Sequence, residues 1–291
     1  MGSLRKLAAV SFLGVSFFPC VLSRAEEQSA DAQPSALPPK SLFAQSAVQI
    51  LDREFKDGGV SYLLFDARTA NLLSSRWEDP ARPVPLGSLV KPFTALAYAE
   101  THDFQYPTYV CQGEASGCWQ LDPHGKLDIV SAIAVSCNSY FRDLAANLRG
   151  EQLLPTTNRF GLESPDANLT GPDLMGLGDR WLISPLHMAR AYLELYRRRN
   201  QPGVREILAG MARSAQHGTG AGVGRALQHS DALVKTGTAP CTHLHPAPAD
   251  GFVVAMVPAD QPQILLMIRV HGAAGRKASV TAGRMLRRME E

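Results

Sequence analysis

Within PLGSLVKPFTALAYAE, Pro85 to Glu100, a serine and a lysine stand three residues apart where a turn-like stretch runs into an apolar helical pattern. Positions i and i+3 share a helix face, so Ser88 and Lys91 can meet. A serine hydroxyl is a poor nucleophile unless a neighbouring base takes its proton during attack. Lysine can be that base only when neutral, which requires burial or nearby positive charge. Leu89, Val90, Pro92 and Phe93 supply apolar surroundings. A helix N-terminus would add backbone N–H groups and positive dipole beside Ser88. Alone, S-x-x-K is a weak signal, because most occurrences are solvated helix surface.

Two other clusters are equally modest taken singly. In AVSCNSYF, Ser136 and Asn138 bracket Cys137 at the end of an apolar helix. A hydroxyl and an amide two apart could relay a proton and contact a substrate, and the plain alternative is a polar helix end. In VKTGTAP, strand alternation puts Lys235 and Gly237 on one side and Thr236 and Thr238 on the other. The lysine could supply positive field, and the glycine leaves room for a ligand backbone against the strand. The plain alternative is a strand ending in a turn.

Together the three carry more weight. S-x-x-K, S-x-N and K-T-G occur in that order, their first residues 48 and 99 positions apart. This set marks penicillin-binding proteins and class A β-lactamases. With the flanks RFGLESP, GLGDRWLISPLHMARAY, the GTG of HGTGAGVGR, and KTGTAP, the chain resembles the penicillin-binding transpeptidase domain over about residues 60–291. The resemblance implies that Ser88 is the acylated nucleophile and Lys91 its base. Ser136 would relay a proton between Lys91 and the leaving group, and Asn138 would hydrogen-bond the peptide arm of the substrate. Lys235 would hold the field that depresses Lys91 and attracts a carboxylate. Thr236, Gly237 and Thr238 would line the substrate site, with the N–H groups of Ser88 and Thr238 forming the oxyanion hole. The implied substrate is the D-Ala-D-Ala end of a peptidoglycan stem peptide, with penicillins acylating the same serine. No metal and no cofactor are expected.

The resemblance also sets alternatives. A serine β-lactamase and a non-turnover β-lactam- or peptidoglycan-sensing domain share the fold. Class D β-lactamases have similar motif spacing but usually an apolar residue where Asn138 stands, so a carbamylated Lys91 is not expected. Class A enzymes need a glutamate to activate the deacylating water. Glu163 is the one candidate and follows Ser136 more closely than in that class, so loop surface is the expectation. Larger relatives carry a pedestal or glycosyltransferase domain. The expectation here is a signal and a tether only, with no glycan polymerisation.

The elements that must position these residues follow from periodicity. Residues 41–57, 89–102, 184–199, 206–215 and 277–290 have helical spacing, and Ser184 and Pro185 read as N-cap and first helical position. The stretch 127–137 is short and apolar, and 139–150 is amphipathic, stopping at Gly150. Residues 60–76 read as two strands around an Asp66–Asn71 turn, and ALVKTGTA, FVVAMV and QILLMIRV as three more. The expected fold is an α/β (α+β) type. A five-stranded antiparallel sheet pairs the first two strands beside the last three. Helices 41–57 and 277–290 cover one face, and an all-helical subdomain is inserted between the strand groups. Trp119 and Trp181 could flank a cleft, with core packing the default.

Arg5 and Lys6, a 16-residue apolar run and Ser23-Arg24-Ala25 read as a secretory signal over 1–25. Residues 26–40 read as a Pro-rich tether and 41–291 as the catalytic domain. The chain is therefore expected outside the cytoplasm, in the periplasm or an equivalent compartment, membrane-anchored if the signal is retained. Removing three basic residues leaves the chain near neutral. It has no basic block, which excludes nucleic acid as a partner. Partners among cell-wall synthesis proteins are compatible with the resemblance and are not specified by it. Of the remaining cysteines, Cys111 and Cys118 are the better candidates for a disulfide, worth roughly 2–3 kcal/mol. Cys137 and Cys241 could pair or remain thiols. Cys241, His243 and His245 alternate along an extended stretch, but with no fourth ligand nearby a zinc site is not expected.

Overall fold

Residues 60–76 form the expected hairpin of β1 (Val60–Asp66) and β2 (Leu72–Arg76). Asp66 nucleates the turn by accepting from the N–H groups of Arg68 and Thr69, both at 2.9 Å. The computed structural model describes residues 42–56, 58–243 and 249–291. The expected signal and tether, 1–25 and 26–40, lie outside them, as does His245.

Helix α1 (Leu42–Glu54) precedes the hairpin. After it, β3 (Val84–Pro85) leads into a 3₁₀ turn, Gly87–Val90, and helix α2 (Lys91–Glu100). Ser88 therefore sits in the tight turn, with Lys91 the first residue of the helix proper. Pro92 is tolerated there because the first helical N–H groups have no partner anyway. Strands β4 (Tyr109–Cys111) and β5 (Gly125–Leu127) pair across the cysteine-bearing loop. Helix α3 (Ile129–Val135) is capped by Asp128, which accepts from Ser131 N–H at 2.8 Å, and α4 (Asn138–Ala146) follows after one break.

Two helices escaped the pattern, one starting at Gly150 and the four-residue Ala221–Gly224. Gly150 is the first residue of α5 (Gly150–Phe160), not the stop of the segment before it. Pro155 and two threonines hide α5 from propensity, yet Leu153 and Phe160 are buried in the core. Tertiary packing wins there. Gly150 is needed because a Cβ would lie 1.9 Å from the Asp166 carbonyl oxygen. Strand β6 (Leu182–Ile183) pairs with β3. Helix α6 (Pro185–Arg197) starts as expected, Ser184 Oγ accepting from His187 N–H at 3.0 Å. Helices α7 (Val204–His217) and α8 (Ala221–Gly224) complete the helical insertion.

The chain then returns to the sheet as β7 (Leu233–Ala239), β8 (Asp250–Val257) and β9 (Ile264–His271), closing with α9 (Gly275–Glu290). The sheet has five antiparallel strands in the order β2-β1-β9-β8-β7, so the first hairpin sits beside the last three strands, as expected. Both faces are buried, which explains the near-continuous apolar runs of β8 and β9. Leu64, Val253, Ala255, Leu266 and Ile268 pack with Leu51 of α1 and Ala282, Met285 and Leu286 of α9. Leu63, Phe65, Phe252, Val254 and Met267 face the helical insertion. Lys235 pairs with Val254 and Gly237 with Phe252, so both belong to that second face.

Candidate active site

Three backbone features bring the sequence clusters together. The first is Gly87, at φ 58°, ahead of Ser88 in the 3₁₀ turn. A Cβ on Gly87 would lie 2.2 Å from the Thr238 carbonyl oxygen, and a Cβ on Gly237 2.4 Å from the Leu86 carbonyl oxygen. Both glycines are required for the turn and β7 to lie in backbone contact, which sets Ser88 beside Thr238.

The second feature is the break between α3 and α4. Ser136 is left-handed there, φ 52° and ψ 43°. That conformation costs a non-glycine residue roughly 1–2 kcal/mol and persists only where surroundings enforce it. What enforces it is a pair of amines. Lys91 Nζ donates to the Ser136 carbonyl oxygen at 2.9 Å and to Asn138 Oδ1 at 2.7 Å. Lys235 Nζ donates to Ser136 Oγ at 2.9 Å and to the Thr236 carbonyl oxygen at 2.7 Å. The third feature is β7 itself, which carries Lys235 into this pocket from 99 residues further along the chain than Ser136.

Both amines are 0% exposed. Burial brings Lys91 down to about 7, within reach of a neutral form. Lys235 is held well below the usual lysine range, first by burial and then by the charge of Lys91. Burial is the leading cause at both amines, and the repulsion between the two positive charges adds to it. The expected contact between Ser88 and Lys91 is altered. Among the described residues Ser88 Oγ has no hydrogen-bond partner, because the Lys91 amine is turned to Ser136 and Asn138. Contacts of this kind commonly tighten only when substrate is bound.

In front of the amines lies a cleft of about 370 Å³. Ser88, Ser136, Asn138, Thr236, Gly237 and Thr238 all line it. Lys91 and Lys235 sit behind Ser136. Thr236 Oγ1 donates to Thr219 Oγ1 at 2.6 Å, and Thr238 Oγ1 accepts from Gly275 N–H, at the start of α9, at 2.9 Å. The sequence reading did not assign Thr219, Leu177 or Arg276, which also line the cleft. Thr219 lies in the HGTGAGVGR flank and was the most recoverable of the three. Trp119 is a cleft residue, with the Arg276 guanidinium 5.6 Å over its ring and its Nε1 donating to the Ser136 carbonyl oxygen at 3.2 Å. Trp181 is buried and donates to the Glu163 carbonyl oxygen.

Glu163 does not line the cleft. Its Oε1 accepts from His187 Nδ1 at 2.8 Å and from Ser184 N–H at 3.2 Å, tying the loop to the start of α6. Among the described residues no carboxylate lines the cleft.

The cysteines depart from expectation. Cys111 and Cys118 are not joined, and no disulfide occurs among the described residues. Cys111, Cys118, His124 and Cys137 instead converge, their ligand atoms within 4.8 Å of one another. Cys118 and Cys137 sulfurs are 3.8 Å apart, and His124 Nδ1 lies 3.4 Å from Cys111 and 3.5 Å from Cys118. Burial opposes ionisation of Cys111, but hydrogen bonds from His124, Ser139 and Gly113 outweigh it and bring the thiol to about 5. A Cys₃His set of this spacing could hold a zinc ion. It would stand directly behind Ser136 and Asn138, since Cys137 lies between them.

The family model of the penicillin binding protein transpeptidase domain matches residues 80–289. No curated protein matches the chain by sequence. Among solved structures, PBP2 of Pseudomonas aeruginosa is similar at 17% identity and TM-score 0.66, covering 86% of this chain and 76% of that one. The D,D-transpeptidase domain of a peptidoglycan glycosyltransferase from Eggerthella lenta is similar at 16% identity and TM-score 0.64, covering 86% and 81%. The TP domain of penicillin-binding protein 3 from Burkholderia pseudomallei is similar at 16% identity and TM-score 0.62, covering 85% and 91%. At these identities the likeness is one of fold.

Proposed function

The chain belongs to the penicillin-binding protein transpeptidase family, and from that premise we propose that it is an exported serine acyltransferase acting on the D-Ala-D-Ala end of peptidoglycan stem peptides. Ser88 Oγ attacks the carbonyl of the penultimate D-Ala while neutral Lys91 takes its proton. The tetrahedral oxyanion is held by the N–H groups of Ser88 and Thr238, each such donor being worth ~10²–10³ in rate. Ser136 passes a proton to the leaving amine, and terminal D-Ala departs, leaving an ester on Ser88. An amine acceptor regenerates the serine in transpeptidation, and water does so in carboxypeptidation. Thr236 and Thr238, with Lys235 behind them and Arg276 at the cleft wall, suit the terminal carboxylate. Asn138 suits the peptide arm through the amide nitrogen that Lys91 leaves available. A penicillin would acylate the same serine. Export rests on the signal-like residues 1–25.

The observation that carries this reading is the convergence of two buried amines on Ser136, behind a cleft that Ser88 lines. The lack of a cleft carboxylate among the described residues favours acyl transfer over rapid hydrolysis of β-lactams, because no side chain there can activate water in the class A manner. The test is incubation with a stem pentapeptide and an amine acceptor, followed by mass spectrometry. One D-Ala should be released per turnover, with acyl-amine or trimmed peptide formed in equal amount. Fast release of hydrolysed penicillin would assign a β-lactamase instead. A stable penicillin adduct without any peptide turnover would assign a sensing domain.

A further inference from the structure

We propose that Cys241, His243, Asp250 and His271 form a divalent transition-metal site, of zinc type, that pins the turn after β7 to the end of β9. One ligand atom from each of the four residues lies within 4.8 Å of the other three. Cys241 Sγ is 3.5 Å from Nδ1 of His243 and 3.5 Å from Nδ1 of His271. Asp250 Oδ2 is 3.1 Å from His243 Nδ1, and its Oδ1 is 3.2 Å from His271 Nδ1. A tetrahedral zinc ion with ordinary bond lengths sets sulfur–nitrogen edges of about 3.6 Å and nitrogen–oxygen edges of about 3.3 Å. Both sulfur–nitrogen separations match that edge to within about 0.2 Å, and each nitrogen meets one carboxylate oxygen at close to the nitrogen–oxygen edge.

The Asp250 carboxylate, only 2% exposed, faces both imidazoles and the thiol. A cation would take one lone pair from each of the four groups at once. The ring planes of His243 and His271 stand at 77° to each other, so two imidazoles approach one point without stacking.

The fold delivers these ligands from two strands and the stretch that follows a third. Asp250 and His271 are register partners across β8 and β9, and Ala239 at the end of β7 is the partner of Asp250 on its other side. Cys241 and His243 follow two and four residues later. The stretch from Cys241 to His243 thus lacked, in sequence, only ligands that lie 9 and 30 residues beyond Cys241. β7 is an edge strand, and Thr238 is one residue before Ala239. A metal here would stiffen the C-terminal end of the strand whose backbone faces Ser88.

The test uses the full chain, stripped with chelator and reloaded with cadmium-113, observed by cadmium NMR, with zinc content measured in parallel. The expected result is a resonance in the range for one thiolate with nitrogen and oxygen ligands, separate from any three-thiolate resonance of the Cys111, Cys118 and Cys137 cluster. Cys241→Ser should remove that resonance and lower bound zinc by one ion per chain, and His271→Ala should do the same. A wild-type spectrum with no one-thiolate resonance overturns the proposal, whatever the fate of the variants. So does a Cys241→Ser protein that keeps the resonance.

Discussion

Gly87→Ala should cripple acylation far more than it destabilises the fold. Two costs can be separated. Alanine at φ 58° pays the left-handed penalty, roughly 1–2 kcal/mol. The new Cβ would also stand 2.2 Å from the Thr238 carbonyl oxygen and 2.8 Å from its nitrogen. Relief needs the turn and β7 to part by about 1 Å, since carbon–oxygen contacts close to little under 3.3 Å. That displacement falls on the two N–H groups assigned to the oxyanion, so the acylation rate should drop about 10²–10³-fold. Gly161→Ala is the control. Gly161 also has positive φ, 65°, but a Cβ there meets nothing within 4 Å. It should lose about 1–2 kcal/mol, a few degrees in melting temperature for a domain of this size, with acylation unchanged. The assay is the rate of labelling by a fluorescent penicillin, beside thermal melts of both variants. A Gly87→Ala protein that labels at the wild-type rate would refute the inference that this backbone contact builds the oxyanion site.

Other outcomes follow from the same geometry. The acylation rate should climb as pH rises through about 7, because Lys91, brought down by burial, is a base only after losing its proton; a flat profile across that range, by stopped-flow, would remove Lys91 from the role. Lys91 binds a proton more readily in the unfolded chain, so its penalty on stability is full below about pH 7 and should ease as pH rises from there toward the ordinary lysine value, which urea titrations at several pH values would register. Glu163→Gln should leave the lifetime of the penicillin adduct unaltered, since the carboxylate is held by His187 and Ser184 away from the cleft; a longer-lived adduct in the variant would make Glu163 a deacylating base. A phosphine reductant should not lower the melting temperature, because Cys111 and Cys118 are thiols; a fall of several degrees would mean a disulfide worth roughly 2–3 kcal/mol does form.

The sheet was legible because its strands are short, apolar and bounded by turn residues, and because the first hairpin could only complete a sheet with the last three strands. The cleft was legible where a motif fixed residue and spacing together, as with Ser88, Ser136, Asn138, Thr236 and Thr238. What stayed hidden has physical reasons. Helix α5 runs against its own propensities at Pro155 and is kept by buried Leu153 and Phe160. Arg276 and Leu177 reach the cleft from elements whose packing no local pattern specifies. The short Cys111–Cys118 spacing suggested a ring, but the partners that matter, His124 and Cys137, come from β5's approach and from the break before α4. The lowering of Lys91 was also unreadable: burial, its leading cause, is a property of the whole core.

The central claim is that the Ser88 hydroxyl is the atom acylated, with two buried amines behind it. Peptide mapping of the penicillin-treated protein tests this most directly. The added mass should sit on the peptide containing Ser88 and vanish in Ser88→Ala, while Ser136→Ala keeps the site of attachment and forms the ester more slowly. An adduct on any other residue, or one that survives Ser88→Ala, would contradict the account.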